Sequence, residues 1–310
     1  MGVDFSIVVS TENTQYLAWQ TQLLCVSALS RLNQRPMVVV HRTRKALRAE
    51  FNILKELGCH IVEAPSFRRH PKGLYLPRNM PGSMLAAAAS PNLNAEYILF
   101  CDPDMLFVTP LEYEPGITAE SCPYLDYEEP QVKVVARKFG IEDMINQLNL
   151  TSRFGYPLIV PRECVGRLGS RWLEVLDSFE TLHWIDAMYA FGLALAIEGL
   201  HAKTTYKVNS NYVQKEPVTG SLIHYCHGDA EWNKRFFIRK SPLDVPDDLL
   251  PTARHGSILS EIVTQIREAR RLLRPFSLFE SGRGRSRRRL AWFRRALAQT
   301  ITALVCKFFR

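Results

Sequence analysis

Short apolar runs alternate with longer amphipathic segments over the first 110 residues of the chain. The runs "FSIVVST", "PMVVVH", "HIVEAPS" and "AEYILFCD" have strand length and lack the polar alternation of half-exposed strands. Between them, residues 16–32 and 46–57 have helical spacing, and "MLAAAAS" indicates another helix that Pro91 ends. Continuous apolar strands separated by helices predict an α/β fold, with a largely parallel sheet covered by helices on both faces.

The pattern changes after about residue 111, where strand and helix signals are mixed. "YPLIVPRE" and "GSLIHYCHG" predict strands, whereas residues 165–179 and 184–198 have helical spacing. From residue 246 onward only helix is indicated, because isoleucine recurs every four residues at 258, 262 and 266. We therefore predict an α/β domain over residues 1–245 and a helical extension over residues 246–279.

The end of the chain is basic and differs in composition from the rest. Nine of the 39 Lys and Arg residues follow residue 282, and the other 30 nearly balance the 31 Asp and Glu residues. Nothing in this near-neutral body indicates a nucleic-acid partner. Beyond the linker "ESGRGRSRRR", apolar residues recur at helical spacing: Leu290, Phe293, Leu297, Ile301, Leu304 and Phe308. Residues 280–310 thus predict a basic linker and an amphipathic helix on an anionic membrane surface, and the alternative is a helix packed on the protein's own core.

Cysteine usage and the first residues of the chain bear on the compartment. The seven cysteines are scattered and form no Cys-x-x-Cys pair, which favours a reducing compartment over a disulfide framework or a zinc site. "MGVDFSIVVS" lacks the basic start of a signal peptide, and no apolar run reaches the length of a spanning helix. The expectation is a cytoplasmic protein, held at the inner face of a membrane by its tail.

Two aspartates stand at the end of the fourth predicted strand, in "ILFCDPDMLF". Asp102 and Asp104 point to the same side if the segment is extended, and Pro103 ends the sheet pairing. Two carboxylates there suit Mg²⁺ or Mn²⁺, whose coordination shell is usually completed by water and substrate phosphates. A surface turn is the alternative. Ligands of parallel sheets bind beyond the carboxyl ends of the strands, where Thr11 and Glu12 also fall.

The segment "YILFCDPDMLF" resembles the Asp-x-Asp segment of the GT-A-type nucleotide-sugar glycosyltransferases. "HWIDAMYAFGLAL" and "GSLIHYCHGDAEWNKR" are similar to the closing motifs of the hydroxyproline O-arabinosyltransferase and peptidyl-serine galactosyltransferase group. The resemblance extends over about residues 3–240. It implies a Rossmann-like mixed sheet with helices on both faces. It also implies a metal-dependent enzyme that moves a sugar from a nucleoside-diphosphate donor, UDP-linked, to an acceptor hydroxyl, and it hints at retention of configuration.

The resemblance also implies roles for single residues. Asp102 and Asp104 would bind Mn²⁺ or Mg²⁺, with His224 as a third ligand. A hydrogen-bonded core histidine is the alternative for His224, and His227 is an alternate for the same ligand role. Thr11 and Glu12 would border the nucleotide base at the end of the first strand.

Four further residues are candidates for the donor and acceptor sides of the site. Arg78 and Asn79 lie where the family often places a donor-binding polar pair. Lys234 is a candidate to hold the departing diphosphate, with a solvated charge as the alternative. Asp186 is the candidate catalytic residue, steering the acceptor or stabilising an oxocarbenium-like sugar, although aspartate at a helix start is also routine. The group usually has an acid directly before Met-Tyr, where this chain has Ala187.

Two other functions compete with this interpretation. A nucleotidyltransferase shares the sheet and the carboxylates, but it would carry a glycine-rich phosphate loop where this chain reads "STENTQYLAW". A non-catalytic, membrane-associated scaffold would tolerate loss of Asp102 and Asp104. The sugar, and the glycan, peptide or lipid that carries the acceptor hydroxyl, stay unassigned.

Overall fold

A computed structural model describes residues 4–42, 45–111, 114–205, 207–210 and 215–274. The predicted tail, residues 280–310, lies outside the described residues, as do residues 275–279 of the predicted extension. The described strands, in chain order, are β1 (Phe5–Glu12), β2 (Met37–Arg42), β3 (His60–Pro65), β4 (Arg69–His70), β5 (Gly73–Leu74), β6 (Tyr97–Cys101), β7 (Met105–Phe107), β8 (Ile117–Ser121), β9 (Phe154–Pro161), β10 (Ala202–Thr205), β11 (Val208–Ser210) and β12 (Leu222–His224).

Six of the eight described α-helices overlap segments whose apolar spacing predicted helix, and the two at 130–138 and 145–151 were not predicted. In chain order the helices are α1 (Gln15–Leu32), α2 (Ala49–Glu56), α3 (Asn79–Ala88), α4 (Pro130–Lys138), α5 (Ile145–Thr151), α6 (Arg162–Leu176), α7 (Asp186–Ile197) and α8 (Ile258–Leu273). The isoleucines at 258, 262 and 266 are all buried on α8, which confirms their helical spacing. Within the described ranges, no helix has the length and apolar character needed to cross a bilayer, and the six cysteines there form no disulfide.

The main sheet has seven strands in the order β10-β8-β9-β6-β1-β2-β3. Strands β6, β1, β2 and β3 are parallel, so their carboxyl ends share one edge of the sheet, which we call the carboxyl edge. Strand β9 is antiparallel to both of its neighbours, β6 and β8. The mixed sheet implied by the family resemblance is therefore confirmed. The departure from parallel pairing arises because the chain leaves β8 and enters β9 at the same edge.

Helices cover both faces of this sheet, as the continuous apolar strands predicted. On β2, Val38 and Val40 pack with Phe51 and Leu54 of α2 in one hydrophobic cluster. The residue between them, Val39, belongs to a second cluster that includes residues of α3, α6 and α7. Successive side chains on a strand point to opposite faces, so each face needs its own apolar partner. This explains why the strand sequences lack polar alternation.

A small second sheet folds over the carboxyl edge. Strand β7 pairs antiparallel with β12, and His224 lies opposite Met105. The backbone N–H of Tyr225 donates to the carbonyl oxygen of Asp104 at 3.0 Å. The ring of Trp19, on α1, stacks on Tyr225 with centroids 6.2 Å apart. These contacts hold the late segment around His224 against the strand end that carries the aspartates.

Gly192 lies in the middle of α7 against the phenol of Tyr127, which donates to the carbonyl oxygen of Ser152 at 2.6 Å. A Cβ at Gly192 would lie 1.8 Å from that phenol oxygen. We expect Gly192→Ala to lower the free energy of unfolding by about 3 kcal/mol, because overpacking adds to the loss of a buried hydrogen bond. Chemical denaturation measures this loss.

The matched control is Gly166→Ala in α6, where the added Cβ would meet only Ala88 Cβ at an ordinary 3.5 Å. We expect this change to be neutral or to stabilise the protein by up to about 1 kcal/mol through helix propensity. Equal effects of the two substitutions would contradict the packing at Gly192.

Candidate functional site

Asp102, Asp104 and His224 form one cluster at the carboxyl edge. The two aspartates follow β6, and the pairing of β7 with β12 brings the histidine to them across 120 residues of sequence. One ligand atom from each residue can be chosen so that all three lie within 4.8 Å of one another. His224 Nε2 lies 3.3 Å from Asp104 Oδ1. The three predicted metal ligands are thus placed together.

Lys234 stands beside this cluster and pairs with it. Its Nζ donates to Asp104 Oδ2, and its side chain is 15% exposed. Asn233 caps the short helical turn at Lys234–Phe237, accepting from the N–H of Arg235 at 2.9 Å. Trp19 Nε1 donates to the carbonyl oxygen of Phe237 at 3.2 Å, which ties the turn to α1. Asp104 therefore has a basic neighbour at each of its oxygens, His224 at Oδ1 and Lys234 at Oδ2.

The ionisation of the cluster reflects burial and crowded charge. Burial and, after it, the charge of Asp104 together raise the pKa of Asp102 to about 6. Burial alone would raise the pKa of Asp104, but the charges and hydrogen bonds of His224 and Lys234 outweigh it and hold that pKa well below its usual range. Burial lowers the pKa of His224, and Asp104 more than reverses this, so the net shift is upward.

These residues fit a divalent cation of the Mn²⁺ or Mg²⁺ type. Two carboxylates and one imidazole supply oxygen and nitrogen ligands that such ions accept. Burial, and after it the charge of Asp104, raises the pKa of Asp102, so a positive charge beside these carboxylates would favour their ionised form. A bound cation would supply the missing positive charge.

Thr11, Glu12 and Asn79 lie buried around the carboxyl end of β1. Asn79 Nδ2 donates to Glu12 Oε1 at 2.9 Å, while its Oδ1 accepts from the N–H of Phe67 at 2.8 Å. Thr21 Oγ1, on α1, donates to Thr11 Oγ1 at 3.1 Å. Glu12 and Asn79, 67 residues apart, thus form a hydrogen-bonded pair, and Thr11 is bonded to the helix behind the strand.

The other two candidates bond to different parts of the chain. Arg78 donates from Nε and Nη2 to the two carboxylate oxygens of Asp177, at 2.6 and 2.7 Å. Asp186 is fully buried: its Oδ1 accepts from Gln131 Nε2 at 2.9 Å and its Oδ2 from the N–H of His183 at 2.6 Å. Burial raises the pKa of Asp186, although these hydrogen bonds oppose the shift. Arg78 joins the turn before α3 to the end of α6, and Asp186 fixes the turn that begins α7.

Three further residues lie near the cluster and were not candidates from the sequence. Burial raises the pKa of Tyr16, while the charge of Lys234 lowers it and the charge of Asp104 raises it. Burial raises the pKa of the Tyr156 phenol well above its usual value, and the charge of Asp102 raises it further. Burial raises the pKa of Glu120 to about 7.

The sequence signals for these three residues differ. Tyr16 comes four residues after Glu12 at the same strand end, so its position in the sequence was a usable signal. Tyr156 and Glu120 had no such signal, because their placement depends on the pairing of β9 with β6 and β8.

No protein-family model matches the chain, but individual known proteins are similar to it. Hydroxyproline O-arabinosyltransferase RDN2 of Medicago truncatula is 21% identical over 193 residues, covering 57% of this chain and 51% of the relative. The enzyme PLENTY of Lotus japonicus, of the same description, is 23% identical over 199 residues, with coverages of 56% and 55%. NOD3 of Pisum sativum, also so described, is 20% identical over 270 residues, with coverages of 77% and 78%. The chain spans about half the length of the first two relatives.

Two crystal structures of LgtC align with 84% of this chain and 95% of theirs. The galactosyltransferase LgtC in complex with donor and acceptor sugar analogs gives a TM-score of 0.47 at 15% identity. An active-site mutant of LgtC gives a TM-score of 0.53 at 13% identity. The chain has the GT-A fold. This GT-A fold confirms the predicted fold class, and the distant similarity to hydroxyproline O-arabinosyltransferases confirms the resemblance seen in the closing motifs.

Proposed function

We propose that this protein is a metal-dependent glycosyltransferase that moves a sugar from a nucleoside-diphosphate donor, UDP-linked, to an acceptor hydroxyl. The observation that carries the proposal is the cluster of Asp102, Asp104 and His224 at the carboxyl edge of a GT-A sheet, with Lys234 beside it. The descriptions of the relatives as hydroxyproline O-arabinosyltransferases support the class of reaction.

In this proposal Asp102, Asp104 and His224 hold Mn²⁺ or Mg²⁺. When bound, the cation neutralises charge on the donor diphosphate and so makes the nucleoside diphosphate a better leaving group. These three side chains would hold the ion and would leave room beside it for water and the donor phosphates. The acceptor hydroxyl attacks the anomeric carbon, the bond from that carbon to the diphosphate oxygen breaks, and the hydroxyl proton is lost to the surroundings.

The donor is bound along the carboxyl edge between the ends of β1 and β6. These strands are neighbours, so their ends lie about 5 Å apart and one diphosphate spans them easily. The buried Glu12–Asn79 pair borders the nucleoside, and Thr11 packs behind it. The ammonium group of Lys234 stabilises the leaving diphosphate by donating hydrogen bonds to phosphate oxygens.

Asp186 and Arg78 act in this proposal as positioning residues. Both oxygens of Asp186 are already hydrogen-bonded, so its carboxylate serves to fix the turn at the start of α7. The guanidinium of Arg78 forms a two-point bond with Asp177 and thereby fixes the turn that presents Asn79. Each residue then affects the reaction through the segment that it orients.

Calorimetry with nucleoside diphosphates tests the proposal on the full chain. We expect UDP to bind in the presence of Mn²⁺ and to lose its affinity when the metal is chelated, while ADP and GDP serve as base controls. A panel of UDP-sugars would then show metal-dependent release of UDP, and proton NMR of the product would report the anomeric configuration. Absence of metal-dependent nucleotide binding would refute the enzyme proposal and favour the scaffold.

A further inference from the structure

Two aromatic side chains are exposed next to each other at the start of α7. Tyr124 is 56% exposed and Trp184 is 67% exposed. Their ring centroids are 6.0 Å apart, and the ring planes are inclined by 39°. We call these two residues the aromatic platform. Large aromatic rings left in solvent and in contact with each other are typical of binding surfaces.

Hydrogen bonds hold the platform in place. The phenol of Tyr75 donates to the carbonyl oxygen of Trp184 at 3.3 Å and accepts from the N–H of Ala187 at 3.0 Å. The phenol of Tyr124 contacts Met188 Sδ at 3.6 Å. The buried carboxylate of Asp186 fixes the same turn. Because the backbone under the rings is already ordered, a ligand would lose little binding energy to ordering it.

The platform lies near the metal cluster. Met188, which contacts Tyr124, lies over Gly155 on β9, since a Cβ added to Gly155 would be 3.4 Å from Met188 Cε. Strand β9 pairs antiparallel with β6, and Leu158 lies opposite Phe100, two residues before Asp102. The helix start under the platform therefore contacts the strand next to the one that carries the aspartates. This position suits the acceptor side of the reaction centre.

We propose that Tyr124 and Trp184 form the binding subsite for an acceptor sugar ring, which packs its C–H face against the aromatic faces. This inference rests on the proposed function, because it assigns the acceptor of that same reaction. The negative face of an aromatic ring attracts the weakly positive C–H hydrogens of a saturated ring. Two inclined rings can contact one sugar unit and its neighbour.

The surroundings favour a sugar over an apolar peptide as the occupant. The loop that follows Tyr124 carries three exposed acidic residues, Asp126, Glu128 and Glu129. Carboxylates accept hydrogen bonds from hydroxyl groups, and a sugar ring offers several of them. An apolar side chain offers these carboxylates no such donor.

Saturation-transfer NMR with a panel of methyl glycosides tests the subsite. The panel contains the methyl glycosides of galactose, glucose, mannose, xylose, arabinose and N-acetylglucosamine, and a hydroxyproline-containing peptide forms a second arm. UDP and diamagnetic Mg²⁺ are present throughout. We expect at least one glycoside to bind through the C–H protons of one ring face. Trp184→Ala should weaken that binding about tenfold or more, and Trp184→Phe should retain most of it.

The control is Leu150→Ala on α5, which removes an apolar side chain that is 87% exposed. We expect it to leave glycoside affinity unchanged. Calorimetry measures UDP binding in the presence of Mg²⁺ for every variant. If the proposed function is wrong, the wild-type protein itself will not bind UDP. If UDP binds but no glycoside does, if Trp184→Ala binds glycosides normally, or if only the peptide binds, the sugar subsite is overturned.

Discussion

Asp104→Asn is expected to abolish metal-dependent UDP binding and to lower sugar transfer by about 10²–10³-fold. Asp104 is buried, and its two oxygens face Lys234 and His224. The amide has the same shape but no charge, so it binds a divalent cation poorly and leaves the Lys234 ammonium without its carboxylate partner. Removing one partner of a buried charge pair typically costs several kcal/mol, which corresponds to the expected loss.

The measurements are Mn²⁺ and UDP calorimetry and UDP release from the donor. Asp143→Asn is the matched control, because it neutralises an exposed aspartate in the short helical turn Glu142–Met144. Thermal unfolding in the presence of a chelator reports whether the variant is folded. A folded Asp104→Asn protein that binds UDP with Mn²⁺ as tightly as the wild type would remove the metal cluster from the mechanism.

Lys234→Met is expected to separate metal binding from catalysis. Without the ammonium, sugar transfer should fall about 10²-fold, since the leaving diphosphate loses a preorganised charged donor. Binding of Mn²⁺ alone should be as tight as in the wild-type protein or tighter, because Lys234 no longer competes for Asp104 Oδ2. Methionine retains most of the length and volume of the lysine stem, so the largely buried side chain keeps its packing.

Steady-state kinetics and metal calorimetry check these two opposite effects. Lys203→Met is the matched control, because Lys203 is 65% exposed and pairs with Glu114 on the surface, so its loss should change neither quantity. Weaker Mn²⁺ binding in Lys234→Met would show that the lysine supports the metal cluster instead of competing with it. Unchanged transfer would exclude Lys234 from diphosphate binding.

Local sequence determined the position of most elements and of the two aspartates. The apolar runs at β1, β2, β3 and β6 were predicted as strands because each is short, continuous and followed by polar or turn residues. The same reasoning placed Asp102 and Asp104 on one side of a strand end. These features depend on neighbours within a few residues, which is the range that a periodic pattern reports.

The sequence alone provided only expectations for residues whose roles depend on partners far along the chain. Thr11 and Asn79 were grouped at the donor side, but the hydrogen bond from Asn79 to Glu12 crosses 67 residues. Asp186 read as a charged helix start, whereas its burial and its bond to Gln131 follow from the packing of α7 near α4. The family resemblance supplied His224, since a histidine in an apolar strand has no local signal for a metal.

The sequence by itself therefore determined most of the longer strands and helices, the apolar strands that require helices on both faces, and the pair of carboxylates at a strand end. Only the tertiary structure decided the antiparallel entry of β9, the placement of His224 and Lys234 on Asp104, and the contact of Tyr124 with Trp184. The physical reason is the range of the interactions. Periodicity and turn chemistry act between near neighbours, whereas strand order and charge pairing depend on how the whole chain packs.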